Sequence, residues 1–242
     1  MKIDTPQSLS AADNKTLAGI SLFFLVLVGV AAVLALAILF LPGTLFLALS
    51  NYLQILAALG GSLVFLYAWR QSGGREAFLY AAGGFGLWAI SNIAWYASVF
   101  LGQRAMVFPS LIDIGMIASF LVLAIAFRKG LPETPVPSTV LYGILAFCLI
   151  IPGIMTAVAG VSASTVITFA YFVACGAFLM TGLRHSLAAN PGLLAGSVLF
   201  AASFMIYPVR EMFFVENTVL PVIGPFVAAG FSLMVTGWLS VK

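Results

Sequence analysis

The chain has 242 residues, of which 63% are hydrophobic and only 7% are charged. A soluble domain carries about 25% charged residues, so this composition excludes a soluble enzyme, a nucleic-acid-binding protein and a disulfide scaffold. The formal net charge of +3 arises from Lys and Arg residues scattered through the sequence, without a basic run. Scattered cations of this kind act as topology signals in membrane proteins. The sequence therefore predicts an integral membrane protein with no nucleic-acid partner.

Residues 1–16 form a short polar tail. The apolar run that follows is longer than the roughly 7–15-residue core of a cleaved signal peptide, so we expect it to remain as a helix. A membrane-spanning helix needs about 20 mainly apolar residues. Eight segments meet that length, and they cover residues 17–41, 44–69, 76–101, 109–128, 138–158, 162–184, 191–213 and 218–241. The sequence thus predicts an all-α, polytopic membrane protein with eight transmembrane helices, in which residues 17–242 form a single transmembrane domain.

The positive charges divide unequally between the two sides of this eight-helix arrangement. One side holds only Arg104 and Arg210, whereas the other holds Lys2, Lys15, Arg70, Arg75, Arg128, Lys129, Arg184 and Lys242. Cytoplasmic loops carry the excess of Lys and Arg. We therefore expect both termini to be cytoplasmic and the protein to lie in the plasma membrane.

The second to fourth predicted helices resemble the sixth to eighth after a shift of 112 to 114 positions. Arg70 then falls on Arg184, Pro109 on Pro221 and Lys129 on Lys242. The shift covers four helices, which is an even number, so the two halves keep the same orientation in the membrane. The sequence predicts a parallel four-plus-four repeat with halves at 17–130 and 138–242, against the simpler interpretation that all apolar helices look alike.

Polar residues inside membrane spans are costly and therefore mark candidate sites. In the predicted topology they collect in the outer half of the bundle, including Asn51 and Gln54, and suggest an outward-facing polar pocket or a polar outer rim. The candidate ligand-binding residues are Asn92, Trp95, Tyr96, Asp113, Tyr207, Arg210 and Glu211.

Each of these candidates also has a structural interpretation. Ser110 and Asp113 have the spacing of a capping box, so Asp113 is expected to cap a helix, to bind a ligand, or both. Arg210 is expected to pair with an acid, to reach the head groups, or to receive an anion. Asn92 and Tyr96 share a helix face and suit an interhelical hydrogen bond as well as a site.

The remaining reactive side chains predict no catalytic centre, metal site or cofactor. Cys148 and Cys175 lie in separate apolar stretches and are expected to be core or lipid-facing hydrophobic residues. His185 stands beside Arg184 at the end of a predicted helix and is expected to be solvated. The sequence contains no HExxH motif, no CxxC pair and no lysine within a span, so we expect a protein that is not an enzyme.

One stretch, GLWAISNIAWYASVFLGQRAMVFPSLIDIGMIASFLVLAIAFRKG at residues 86–130, resembles a known membrane module. It is similar to the multi-helix sensing module at the front of some archaeal and bacterial sensor histidine kinases and diguanylate cyclases. The matching residues are Trp88 and Trp95 on one helix and the Pro109-Ser110-x-x-Asp113 helix start. The sequence departs from those proteins in having no output domain before Lys242. The resemblance implies a stand-alone version or one that signals through a partner, and it implies no particular ligand.

The expected function is that of a sensor-like or accessory membrane subunit that binds a small molecule, a lipid or a protein partner at an outward-facing polar pocket. Membrane lipids, a membrane protein partner or further copies of the chain are the expected partners. The alternative is a small secondary transporter with a site between the two halves. The scarcity of polar residues in the inner half of the spans counts against the transporter.

Overall fold

A computed structural model describes residues 11–37, 43–98, 108–186, 190–213 and 220–241. In these ranges the chain forms eight α-helices: α1 (Ala11–Ala37), α2 (Gly43–Gln71), α3 (Glu76–Tyr96), α4 (Leu111–Gly130), α5 (Ser138–Ala159), α6 (Ala163–Ser186), α7 (Pro191–Phe213) and α8 (Leu220–Leu239). Seven of them are long and apolar enough to cross a membrane. The apolar stretch of α8, Ile223–Leu239, is shorter. The predicted all-α membrane fold is confirmed at this level.

Consecutive helices run in opposite directions, so the bundle has two distinct ends. At one end, Lys129 at the close of α4 forms an ion pair of 2.6 Å with Glu76 at the start of α3. The same end holds Arg70, Arg75, Arg128 and Arg184, and we call it the basic end. At the opposite end, called the far end, Tyr52 near the start of α2 meets Tyr96 at the close of α3.

Six of the helices form a closed ring. Contacts run from α2 to α3, α4, α6, α7 and α8, and α8 returns to α2. Helix α1 lies outside the ring against α8 and α2, and α5 lies outside against α6. The ring therefore encloses the core, while α1 and α5 are peripheral.

Aromatic side chains from all six ring helices fill the interior. Phe120 of α4 stacks on Phe200 of α7 with ring centroids 4.4 Å apart, and Phe200 lies 4.5 Å from Phe231 of α8. Buried aromatic pairs at these distances add stability to that gained from burying their apolar surface. These aromatic contacts continue toward the basic end through Phe127 and Trp238, whose ring centroids are 5.1 Å apart.

The outer surface is apolar, as a lipid environment requires. Leu36, Val158 and Leu63 are exposed by 77%, 73% and 66%. Contiguous exposed apolar surface on this scale is rare in soluble monomers. The residue pattern is thus that of a membrane bundle, with small and aromatic residues inside and aliphatic residues outside.

The remaining reactive residues lie mainly inside the bundle. Cys148 and Cys175 are buried free cysteines, as expected. The prediction of a solvated His185 is wrong, because this side chain is only 7% exposed and its Nδ1 lies 3.0 Å from the carbonyl oxygen of Leu131. The segment after α4 folds back over the end of α6, where the Thr134 N–H also donates to the Arg184 carbonyl. The position of His185 in the sequence does not show that the segment after α4 covers it.

Candidate functional site

A group of buried polar residues lies on one face of α2 near the far end. Gln54 lies four positions after Ser50 and three after Asn51, so its side chain shares a helix face with both. They are 1%, 4% and 7% exposed. Neighbouring helices cover this face, because α2 packs against both α3 and α8.

Amide side chains link α2 to α3 across this face. The Asn92 Nδ2 of α3 donates to the Gln54 Oε1 at 3.1 Å. The Gln54 Nε2 in turn donates to the Asn51 Oδ1 at 3.4 Å. Gln54 therefore occupies the middle of a chain of three hydrogen-bonded amides, which we call the amide chain, with Asn92 as its donor and Asn51 as its acceptor.

The amide chain borders a partly open cavity of about 40 Å³ between α2, α3, α4, α7 and α8. Among the described residues that line it, the polar and aromatic ones include Ser50, Gln54, Trp88, Asn92, Trp95 and Tyr207. No acidic or basic side chain stands among these described lining residues. The described part of the lining is therefore polar but uncharged.

Two of the lining side chains are buried without a hydrogen-bond partner among the described residues. They are the Ser50 Oγ and the Trp88 Nε1, and Trp88 is fully buried. Most buried polar atoms in folded proteins are hydrogen-bonded, and an unpaired one costs free energy. Two such atoms in one cavity point to an occupant that is a ligand group or water.

Gly224 of α8 lines the cavity and lies directly against the polar face of α2. A Cβ added at this position would overlap the Ser50 Oγ and would lie 2.5 Å from the Gln54 Nε2. A side chain here would therefore collide with the Ser50 hydroxyl and the Gln54 amide, which already pack against this point of α8. Glycine lets α8 approach α2 closely at the edge of the cavity.

Asp113 belongs to a second, separate polar cluster at the start of α4. Its Oδ2 accepts bonds from the Ser110 N–H at 2.7 Å and from the Ser110 hydroxyl at 2.9 Å. The predicted capping box is confirmed. Its Oδ1 accepts a bond of 2.8 Å from the Tyr171 hydroxyl of α6. Both carboxylate oxygens are thus engaged, and the residue ties α4 to α6.

Substituting Tyr171 with phenylalanine is expected to lower the free energy of unfolding by about 1–3 kcal/mol. The change leaves the Asp113 carboxylate, which is 2% exposed, with one hydrogen bond fewer, and a buried polar group pays for a lost partner. Thermal unfolding in detergent measures the effect. Tyr142→Phe is the control because Tyr142 is 69% exposed. Equal melting of the two variants would contradict the structural role of the Tyr171–Asp113 bond.

The structure separates the sequence candidates into groups. Asn92, Trp95 and Tyr207 line the same cavity. Tyr96 instead donates its hydroxyl hydrogen to the Tyr52 hydroxyl at 2.8 Å. The Tyr207 ring lies 6.0 Å from that of Tyr171, so the cavity and the Asp113 cluster are neighbours. The side chains of Arg210 and Glu211 lie outside the described residues.

Sequence reasoning did not select Ser50, Trp88, Tyr171 or Gly224 as site residues. A serine, an aromatic residue or a glycine in an apolar helix is common and has many structural explanations. Asn51 and Gln54 carried a signal, as amides in a membrane span, but their pairing with Asn92 depends on how α2 and α3 pack. Among the described residues no group of His, Cys, Asp and Glu could hold a metal ion.

No protein-family model, curated protein or solved structure matches this chain.

Proposed function

We propose that this chain is a sensor-like or accessory membrane subunit, without catalytic activity, that binds a small molecule or a lipid group in the cavity beside Gln54 and Asn92. The observation that carries the proposal is the pair of unpartnered buried groups, Ser50 Oγ and Trp88 Nε1, in one cavity. Bound groups that accept these hydrogen bonds would remove the cost of burying the two atoms.

The packing of the core favours binding over transport. A transporter needs a polar route through the mid-membrane region, whereas the described interior between the cavity and the basic end is occupied by Phe85, Phe120, Phe200 and Phe231. The sensor-like function needs only an accessible site and a bundle that responds to its occupation. A protein partner that reads this response remains part of the proposal.

We further propose eight membrane spans with both termini in the cytoplasm of a plasma-membrane protein. The clustering of Arg70, Arg75, Arg128, Lys129 and Arg184 at the basic end supports this orientation. It places the cavity toward the outer face. A proposed parallel repeat is supported by the ring, in which the contact of α4 with α6 mirrors that of α8 with α2.

Reporters fused to the chain test this topology. In a bacterial host, green fluorescent protein fused after Lys242 is expected to fluoresce, and alkaline phosphatase at the same position is expected to be inactive. Fusions truncated after Gly160, in the turn between α5 and α6 at the far end, are the control and should give the opposite pattern. Active phosphatase after Lys242 would contradict the proposed orientation.

Native mass spectrometry of the protein, extracted gently from its own membrane, tests the proposed function. We expect a reproducible bound mass at one copy per chain in the wild type. Gly224→Ala should lose that mass because the added methyl displaces the Ser50 hydroxyl and the Gln54 amide, which line the cavity. Gly83→Ala should keep it, since a Cβ there meets only Val122 at an ordinary 3.8 Å. A wild-type protein without a bound mass, or a Gly224→Ala variant that retains it, would overturn the proposal.

A further inference from the structure

We propose that a second pocket, at the basic end of the bundle, binds the phosphate group of a phosphate ester, with Arg75 as its main counter-charge. The pocket measures about 360 Å³ and lies between the start of α3 and the ends of α4 and α8. The cavity beside Gln54 and Asn92 lies near the far end of the same bundle. The phosphate ester is therefore a ligand distinct from the occupant of that cavity.

Trp238 of α8 contributes a buried donor without a partner. Its side chain lines the pocket and is only 5% exposed. The indole N–H can only donate, and it forms no hydrogen bond with a described residue. A Cβ added at Gly130, another lining residue, would lie 2.6 Å from Cζ2 and 3.5 Å from Cε2 of the indole. The ring edge that carries the nitrogen therefore faces the pocket, and a buried donor of this kind normally has an acceptor.

The first turn of α3 presents further donors to the same pocket. Arg75 is the N-cap residue of this helix, and no side chain caps the turn. The N–H groups of Glu76 and Ala77, both lining residues, have no acceptor in the part of the chain that the structure describes. Backbone N–H groups at a helix start carry partial positive charge and bind phosphate oxygens.

The charge of the pocket favours an anion. Its described lining holds two cations, Arg75 and Lys129, and one acid, Glu76, which gives a net charge of +1. Lys129 is engaged with Glu76 at 2.6 Å, whereas Arg75 is exposed and forms no ion pair with a described acid. The guanidinium fork of arginine matches two oxygens of one phosphate group. Arg75 is thus the cation that remains available to a ligand.

The size of the pocket indicates more than a bare phosphate ion. Sites for small molecules measure roughly 300–1,000 Å³, and this pocket lies at the lower end of that range. A phosphate with a short polar group attached fits it. Two sources can supply such a group, because basic pockets between helices also bind the head groups of anionic lipids. The ester is either a phospholipid head group or a small soluble molecule.

Nuclear magnetic resonance of the indole groups tests the inference. The protein is labelled with ¹⁵N-tryptophan in dodecyl maltoside, which carries no phosphate and no charge, and the Trp238 signal is assigned by its loss in Trp238→Phe. Glycerol phosphate is expected to shift the Trp238 N–H signal saturably at constant ionic strength. Glycerate and glycerol should bind at least about tenfold more weakly, because one carries less negative charge and the other carries none.

Removing the available cation is expected to weaken binding. Arg75→Gln should weaken glycerol phosphate binding at least about tenfold, the factor that corresponds to one charge-assisted hydrogen bond. Arg184→Gln is the matched control, since it removes the same charge from the basic end at a residue of α6 outside the lining. Unchanged signals of the other tryptophans check the fold of each variant. Equal effects of the two substitutions would overturn the role of Arg75.

Removing the acid is expected to act in the opposite direction. Glu76→Gln frees Lys129 and should tighten glycerol phosphate binding about 3- to 10-fold. A gain in affinity cannot result from unfolding. Glu133→Gln is the control, because Glu133 lies 3.9 Å from Arg184 and outside the lining. Unchanged or weaker binding by Glu76→Gln would contradict an anion site between these residues.

The two sources are separated by placing the wild-type protein in nanodiscs of phosphatidylcholine with and without phosphatidylglycerol. A Trp238 signal that phosphatidylglycerol shifts, and that added glycerol phosphate no longer moves, supports a lipid head group. A signal that is the same in both lipid compositions and moves with glycerol phosphate supports a soluble phosphate ester.

Other outcomes overturn the inference. Equal or tighter binding of glycerate or glycerol would show that the ligand class is wrong. A Trp238 N–H that responds neither to glycerol phosphate nor to phosphatidylglycerol would make the pocket a water-filled recess at the end of the bundle. Neither result affects the cavity beside Gln54, whose occupant is tested separately by native mass spectrometry and Gly224→Ala.

Discussion

Gly196→Val is expected to lower the free energy of unfolding by at least about 3 kcal/mol and to separate α7 from α8. Inserting atoms into a packed core typically costs about 1–3 kcal/mol, and more where the neighbours cannot yield. A Cβ at Gly196 would lie 2.6 Å from the Gly230 carbonyl oxygen and 2.8 Å from the Met234 backbone nitrogen. Both neighbours are backbone atoms, so the helix itself must move.

The matched control for this substitution is Gly29→Val on α1, where a Cβ meets nothing within 4 Å. Reversible unfolding of both variants in mixed dodecyl maltoside and SDS micelles measures the difference. Gly29→Val should unfold close to the wild type, because its side chain points into open space. A Gly196→Val protein as stable as Gly29→Val would show that α7 and α8 do not approach at this residue.

Gln54→Leu is expected to be the most damaging substitution at the site. It removes both hydrogen bonds of the amide chain and takes away the acceptor of the buried Asn92 Nδ2. A buried polar group that loses its partner costs about 1–3 kcal/mol. We expect a loss of stability in this range, measured by unfolding in mixed micelles.

The chain offers a matched control in the same helix and a double-mutant cycle. Gln71→Leu makes the same chemical change at the exposed end of α2 and should leave stability nearly unchanged. Gln54→Leu combined with Asn92→Leu should cost less than the sum of the two single changes, with a coupling of about 1–2 kcal/mol. Additive effects would mean that the two amides do not interact.

The hydrogen bonds of Asp113 show which contacts can be predicted from the sequence and which cannot. Ser110 and Asp113 are three residues apart, and a capping box depends only on local backbone geometry, so the sequence was sufficient to predict it. The bond from Tyr171 to Asp113 joins residues 58 positions apart. No local pattern predicts that partner, because it depends on how α4 packs against α6.

His185 is a residue whose environment the sequence did not predict. A lone histidine beside an arginine at a helix end is most often solvated, yet the segment after α4 covers it and supplies the Leu131 carbonyl as a partner. The path of a connecting segment across the end of a bundle is a tertiary property. For the same reason the sequence identified Asn92 but not Trp88, whose unpaired N–H matters only because other helices enclose it.

By itself, the sequence determined that this is an all-helical membrane protein and that polar groups collect near one end. It also placed most helix ends to within two residues, although α1 begins at Ala11, six residues before the predicted start at 17, and α3 ends at Tyr96, short of the predicted 101. These properties follow from hydrophobicity and from backbone preferences that act over one or two helical turns. Only the tertiary structure decided the six-helix ring, the amide chain from Asn51 to Asn92 and the cavity with its two unpaired donors. Each of these depends on which helix faces meet, and apolar helices in a membrane carry little information about that in their composition, because lipid and protein interior are equally apolar.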